Sequence, residues 1–232
     1  MGRIPAVNSP EAMCEAIRAA GIIPFFKGPV PGFSIQELTP PEHWFDSSEE
    51  LGPWDWKIAA VQSGDIAYGK FLCGGKAAFA TIEWYAHLRS WRLSRAEYEP
   101  DDSGRQVLAL AAEQGSVTSK EIRQLLGIKK GAADAVSAKL MHQMRLLIGD
   151  IERVYRGPTL SYSGWQHCTF CTPEALFAAG DSGLVFGGFS PFSKEDPLET
   201  GCSPEESRQK LLSHLESLLP GAGFTAINRL LL

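Results

Sequence analysis

Apolar residues recur along the chain with two different spacings, and the changes of spacing divide it into four stretches. In residues 1–50, "SPEAMCEAIRAAG" reads as a helix, with Ser9 as its cap, Pro10 at its first position and Gly21 just past its end. The following "PFFKGPVPGFSIQELTPPEHWF" holds five prolines and two glycines. These break any long element, so an apolar wrapping segment is predicted there, with one short helix opened by a Ser34 and Glu37 capping box. In residues 51–100 the spacing of "GPWDWK" predicts an extended segment, with Trp54 and Trp56 on one face and Asp55 on the other. "DIAYGKFLCGGKAAFATIEWY" then reads as a β-hairpin turned at Gly74-Gly75, on which Ile66, Tyr68, Lys70 and Leu72 share a face. After it, Trp84, Leu88 and Trp91 follow at helical spacing as core, with Arg89, Arg92 and Arg95 turned elsewhere.

Residues 101–177 carry the clearest pattern. One helix has Val107, Leu108, Leu110 and Ala111 as its apolar face, and a second is capped by Thr118 or Ser119 and closed by Gly127. A third resumes at once, with Val136, Leu140, Met144 and Leu147 as its stripe. Two strand-like runs follow, Ile151 to Tyr155 and Trp165 to Thr172. Three helices and a two-stranded wing are the order of a winged helix-turn-helix, whose third helix enters the major groove. In residues 178–232 an apolar, turn-rich connector, "GLVFGGFSPF", leads to a helix capped by Ser203 and started by Pro204, with Leu211, Leu212, Leu215, Leu218 and Leu219 as its stripe. "FTAINRLLL" begins one more short helix, whose leucines serve either packing on the main body or a homodimer. The predicted fold class is α+β: a winged helix-turn-helix with an adjoining β-hairpin region and flanking helices.

Composition narrows the function. The chain has 232 residues, of which 44% are hydrophobic, enough for a sizeable core. No run is long and apolar enough for a membrane span and no signal core opens the sequence, so a cytoplasmic protein with no membrane partner is expected. Five scattered cysteines argue for thiols rather than a disulfide framework. The net charge of −5 names no partner, but its distribution does. Residues 103–156 hold nine basic and five acidic side chains. Within that stretch Lys120, Arg123, Lys129, Lys130, Lys139, His142 and Arg145 are the candidate contacts to double-stranded DNA. Lys129 and Lys130 stand where a helix N-terminus also favours phosphate. The third helix begins "GAADA", whose short side chains approach bases closely but offer few donors for reading them.

"GPWDWK" is the second candidate site. Trp54 and Trp56 either plug the core or stack on an unstacked base, with Lys57, Tyr68, Lys70 and Lys76 completing a pocket. Asp55 and the lone Gln62 are the only candidates there for a catalytic role. "HCTFC" supplies His167, Cys168 and Cys171 without the further ligands tetrahedral zinc requires, so no metal is predicted, and no motif asks for a cofactor.

As an ordered set, "GPWDWK", "AYGKF", "GGKAAF", "IEWY", "TPEALF" and "SPEESRQKLLSHLESLLPGA" resemble the bacterial AlkZ-related family, from about Leu51 to the C-terminus. The resemblance implies kinship with the larger winged-helix alkylpurine DNA glycosylases, and so DNA binding tied to recognition or repair of alkylated bases. Those enzymes carry a Gln-x-Gln pair on an early loop, and this sequence has none. DNA binding is therefore the expectation, with glycosylase-like catalysis lacking its signature. A transcriptional regulator and a winged helix used for protein contact are the alternatives.

Overall fold

A computed structural model of the chain describes residues 4–44, 51–177 and 196–232. The connector "GLVFGGFSPF" lies outside the described residues. The fold is mixed α+β, with two three-stranded antiparallel sheets among the described residues.

Helix α1 (Pro10–Ala20) is capped by Ser9, whose hydroxyl accepts the Ala12 amide, and ends at Gly21. Strand β1 (Ile22–Pro24) follows it, inside the segment predicted to be irregular. Proline is admitted because β1 is an edge strand, in the order β1-β3-β2. Helix α2 (Ile35–Leu38) opens at Ser34 as predicted, but only half of the capping box forms: the Ser34 hydroxyl accepts the Glu37 amide, while the Glu37 carboxylate accepts the Ser34 hydroxyl and the Gly32 amide instead of the Ser34 amide.

The prediction for "GPWDWK" is overturned, because Pro53 begins helix α3 (Pro53–Gln62) rather than an extended segment. Gly52 makes the turn into it with φ of 57°, and a Cβ there would lie 1.7 Å from the His43 carbonyl oxygen. Only glycine fits. On a helix Trp54 and Trp56 point in different directions, so the shared face does not exist. Helix α3 lies among α1, the first sheet and the second. Pro53, Asp55, Trp56, Lys57, Ala60 and Val61 are all buried, which erases the one-sided pattern by which an amphipathic helix is recognised.

Strands β2 (Ile66–Leu72) and β3 (Lys76–Thr81) form the predicted hairpin, turned through Cys73, Gly74 and Gly75, all at positive φ. The register breaks between Gly69 and Leu72, and Lys70 stands exposed at the break while Ile66 and Leu72 are buried. Helix α4 (Ile82–Leu93) buries Leu88 and Trp91 as expected, but Arg92 with them. That arginine is not turned elsewhere. Its guanidinium donates to the backbone oxygens of His142 at 2.8 Å and Leu231 at 2.5 Å, which offsets part of the cost of burying the charge, while its Nε has no hydrogen-bond partner among the described residues.

The third stretch is helix α5 (Asp102–Gln114), strand β4 (Val117–Thr118), helix α6 (Ser119–Leu126), helix α7 (Lys130–His142), strands β5 (Leu147–Arg156) and β6 (Ser161–Cys171), and helix α8 (Pro173–Phe177). Thr118 and Glu121 close a full capping box on α6. Helix α7 stops sooner than its apolar stripe predicts, because Met144 takes a left-handed φ of 60° and Leu147 already belongs to β5. Both hairpin strands are longer than predicted, and β6 lies in the middle of the order β4-β6-β5. Helices α9 (Pro204–Leu218) and α10 (Phe224–Leu231) return to the first sheet, where Leu211, Leu212, Leu215, Leu230 and Leu231 are buried.

Two apolar cores result. The larger gathers α1, the β1-β3-β2 sheet, α4, α9 and α10 around Phe25, Phe71, Phe79 and Tyr85, each contributing roughly 1.5–3 kcal/mol by leaving water. The smaller joins Val107, Ala111, Ile122, Ala133 and Leu140 of the helices to Ile148, Ile151 and Phe170 of the hairpin. Val61 of α3 is seated in it, so α3 touches both.

Candidate functional site

At the start of α3 a buried carboxylate ties that helix to the β5–β6 hairpin. Asp55 stands in the first turn, where the helix dipole favours an acid, and its Oδ2 accepts the Leu51 amide at 2.8 Å. Its Oδ1 accepts the Tyr162 hydroxyl at 2.6 Å and the Gln166 amide nitrogen at 3.0 Å, with the Arg153 Nε at 3.5 Å. Gln166 also donates to the Trp54 carbonyl at 3.0 Å. Burial, and then the bond to the carboxylate, raise the Tyr162 hydroxyl above its ordinary range, so it stays a protonated donor.

The predicted pocket residues part company here. The half-buried Trp54 ring rests on Phe25 and Phe26, at 5.6 and 5.7 Å between centroids, at the edge of the larger core. Lys57 is buried with its ammonium 4.4 Å from the centre of Trp54. Burial pulls that lysine down to about 8, against the opposing pull of Cys168 and Asp55. Tyr68 stacks on Phe79 at 4.5 Å, and burial raises its hydroxyl strongly. Lys70 and Lys76 are exposed on the first hairpin.

Asp55, Trp56 and Gln62 do come together. With Ile151, Arg153 and Tyr155 they line a cavity of about 430 Å³ between α3 and β5. Gln62 reaches across it to Asp150, Nε2 to Oδ1 at 3.0 Å. Its lining combines the rings of Trp56 and Tyr155, the apolar Ile58 and Ile151 and the polar Gln62, Glu152 and Arg153, a mixture that suits a flat, polar-edged ring, while the Asp55 carboxylate is buried behind it. The Asp55 side chain has no solvent exposure, so its surroundings would have to shift before it could activate a water.

The candidate cations divide as well. Lys120 and Arg123 on α6 and Lys129 and Lys130 at the start of α7 are exposed and make no ion pair among the described residues. The α7 N-terminus has no side-chain cap. Lys139 is bound to Asp101 at 2.7 Å and Arg145 to Glu99 at 2.9 Å. His142 packs on Tyr98, and burial together with the neighbouring Arg92 holds it down to about 4, so it is neutral near pH 7. Gly131, Ala132 and Ala135 form the exposed small-residue face of α7. Among the described residues no group of three His, Cys, Asp or Glu could hold a metal.

The sequence pattern missed the hairpin's own contribution. Arg153, Tyr162 and Gln166 hold Asp55, while Tyr155 and Trp165 are 52% and 56% exposed. The signal present was three aromatic residues in the turn-rich "YRGPTLSYSGW", where no core requires them.

The protein family described as AlkZ related matches residues 7–232. The chain belongs to it. The match to the AlkZ-related family takes in most of the first fifty residues, which the motif resemblance did not reach. No curated protein and no solved structure matches this AlkZ-related chain. Among its described residues no helix is long and apolar enough to cross a membrane.

Proposed function

We propose that residues 101–177 act as a winged helix-turn-helix that binds double-stranded DNA, in a protein that recognises alkylated bases. The supporting observation is four exposed cations on α6 and at the start of α7 that make no ion pair among the described residues, with a helix N-terminus that has no side-chain cap beside Lys129 and Lys130. Free cations and helix amides hold phosphate oxygens. The small face of α7 lets a backbone approach closely while offering no bidentate donors, so affinity comes from phosphate and groove shape more than from base sequence. The first and last stretches, with the β2–β3 hairpin, form the scaffold against which this unit is held. In the narrower part of the proposal the cavity takes the damaged base, with Trp56 and Tyr155 as its stacking walls, Gln62 at its polar edge and the buried Asp55 holding the wall in place from behind. Family membership supports that part.

Fluorescence anisotropy at two salt concentrations tests both parts, using an intact duplex and one with a central abasic-site analogue. Binding is expected to weaken with salt, and Lys129→Glu/Lys130→Glu is expected to reduce the log–log salt slope by about two. Tighter binding to the damaged duplex supports the narrower part. Equal binding leaves a general binder or regulator. No binding to either duplex at low salt overturns the proposal, and a protein-contact role then takes its place.

A further inference from the structure

Duplex binding through α6 and α7 leaves the outer face of the β5–β6 hairpin unused. The inner face of β6 is fixed toward α3 at three alternate positions. Tyr162 and Gln166 are bonded to Asp55, and at Gly164 between them a Cβ would meet the Leu51 side chain at 2.7 Å. Strand alternation then turns Ser161, Ser163, Trp165 and His167 outward, and all four are exposed. Every other tryptophan of the protein is buried or half-buried. Trp165 is 56% exposed, and its indole lies 5.3 Å from the Arg156 guanidinium, which limits the ring's freedom and sets a positive charge beside it.

A solvent-facing indole with an arginine beside it has the makings of a stacking platform. Its neighbours on the strand are serines and a histidine, so it offers a single ring face rather than the apolar groove that an amphipathic peptide helix needs. A nucleobase fits that surface in shape, and the flanking phosphate fits Arg156 in charge. Resting on the reading that this stretch binds DNA, we propose that Trp165 and Arg156 form a second subsite, which stacks an unpaired base and so directs the protein to DNA with a locally opened helix. The subsite is separate from the cavity, which opens on the other side of the hairpin and is not lined by Trp165.

The test compares binding of the full chain to an intact duplex and to the same duplex with a single-base bulge. The wild type is expected to prefer the bulge. Trp165→Ala is expected to bind the bulged duplex on the order of 5- to 100-fold more weakly, the range that loss of one base stack gives, and the intact duplex as before. Trp165→Phe keeps a ring and is expected to retain most of the preference, and Arg156→Gln is expected to lose part of it. Melting temperatures of the variants, expected to match the wild type because both side chains face water, control for folding. Lys129→Glu/Lys130→Glu is expected to weaken both duplexes alike. If Trp165→Ala leaves the bulge preference intact, or the wild type shows none while still binding duplex, the subsite falls and duplex binding stands. If the wild type binds neither DNA at low salt, both fall. Trp165-dependent binding of an RNA loop or a peptide in place of the bulged DNA likewise overturns the assignment.

Discussion

The two cores of this protein use large rings and cations in opposite ways. Around the first sheet Phe25, Phe71, Phe79 and Tyr85 have no exposure, and Arg92 among them is wholly enclosed, its guanidinium bonded to backbone oxygens of α7's end and of α10. In residues 101–177 the core is made of smaller side chains, while Tyr155, Trp165, Lys129 and Lys130 face water. The first region uses its strongest contacts to fix a shape. The second keeps comparable groups at the surface, where Lys129 and Lys130 have no ion pair among the described residues and the rings of Tyr155 and Trp165 are more than half exposed, which is what a surface that meets an anionic, ring-bearing partner requires.

Four substitutions sharpen that contrast, in falling order of effect. Phe79→Ala opens the larger core beneath Tyr68 and Phe25, and is expected to cost roughly 3–5 kcal/mol, read as a shift of the urea midpoint. Asp55→Asn leaves Arg153 without its charge partner and weakens the hold on Tyr162, and is expected to cost about 1–3 kcal/mol. Amide exchange should quicken in β5 and β6 and not in β1 and β3. Equal quickening in both sheets would mean that the regions are not separable.

The third concerns pH. His142 is held at about 4 against an ordinary 6.5, so the unfolded chain takes up its proton first on acidification. Its contribution to stability is complete above about pH 6.5 and is lost as pH falls toward 4, and His142→Gln is expected to flatten that window in a stability–pH series. Last, Lys139→Ala breaks an exposed pair with Asp101, for which about 0.2–1 kcal/mol is expected in thermal melts. A larger loss would show that the exposed cations of this region also carry its stability.

How far the sequence disclosed the fold depended on whether each element's signals were local. Helices α1, α6 and α9 carry their caps within four residues, and β2–β3 carries its turn, so all four were legible. Helix α3 was not, because burial on several sides removes its stripe and two tryptophans at a spacing of two imitate a strand. The basic side chains of this stretch were visible as a local charge excess, but not which of them lack an ion-pair partner among the described residues: Asp101 and Glu99, which occupy Lys139 and Arg145, lie some forty residues away in sequence. Asp55 was noticed for its neighbours in "GPWDWK". Its true partners, Arg153, Tyr162 and Gln166, lie about a hundred residues downstream, where pairing depends on the fold rather than on spacing.

The tight packing at Gly52 and Gly164 bears on how related sequences are to be interpreted. Position 52 excludes even a methyl group, against a carbonyl oxygen, and position 164 holds a left-handed φ of 82° that side-chain-bearing residues rarely adopt. Glycine held constant at 52 and 164 across relatives would therefore record geometry alone, whatever those relatives bind. Trp165 and Lys129 meet no such restriction, and a tryptophan and a lysine retained there through divergence would record selection by a partner.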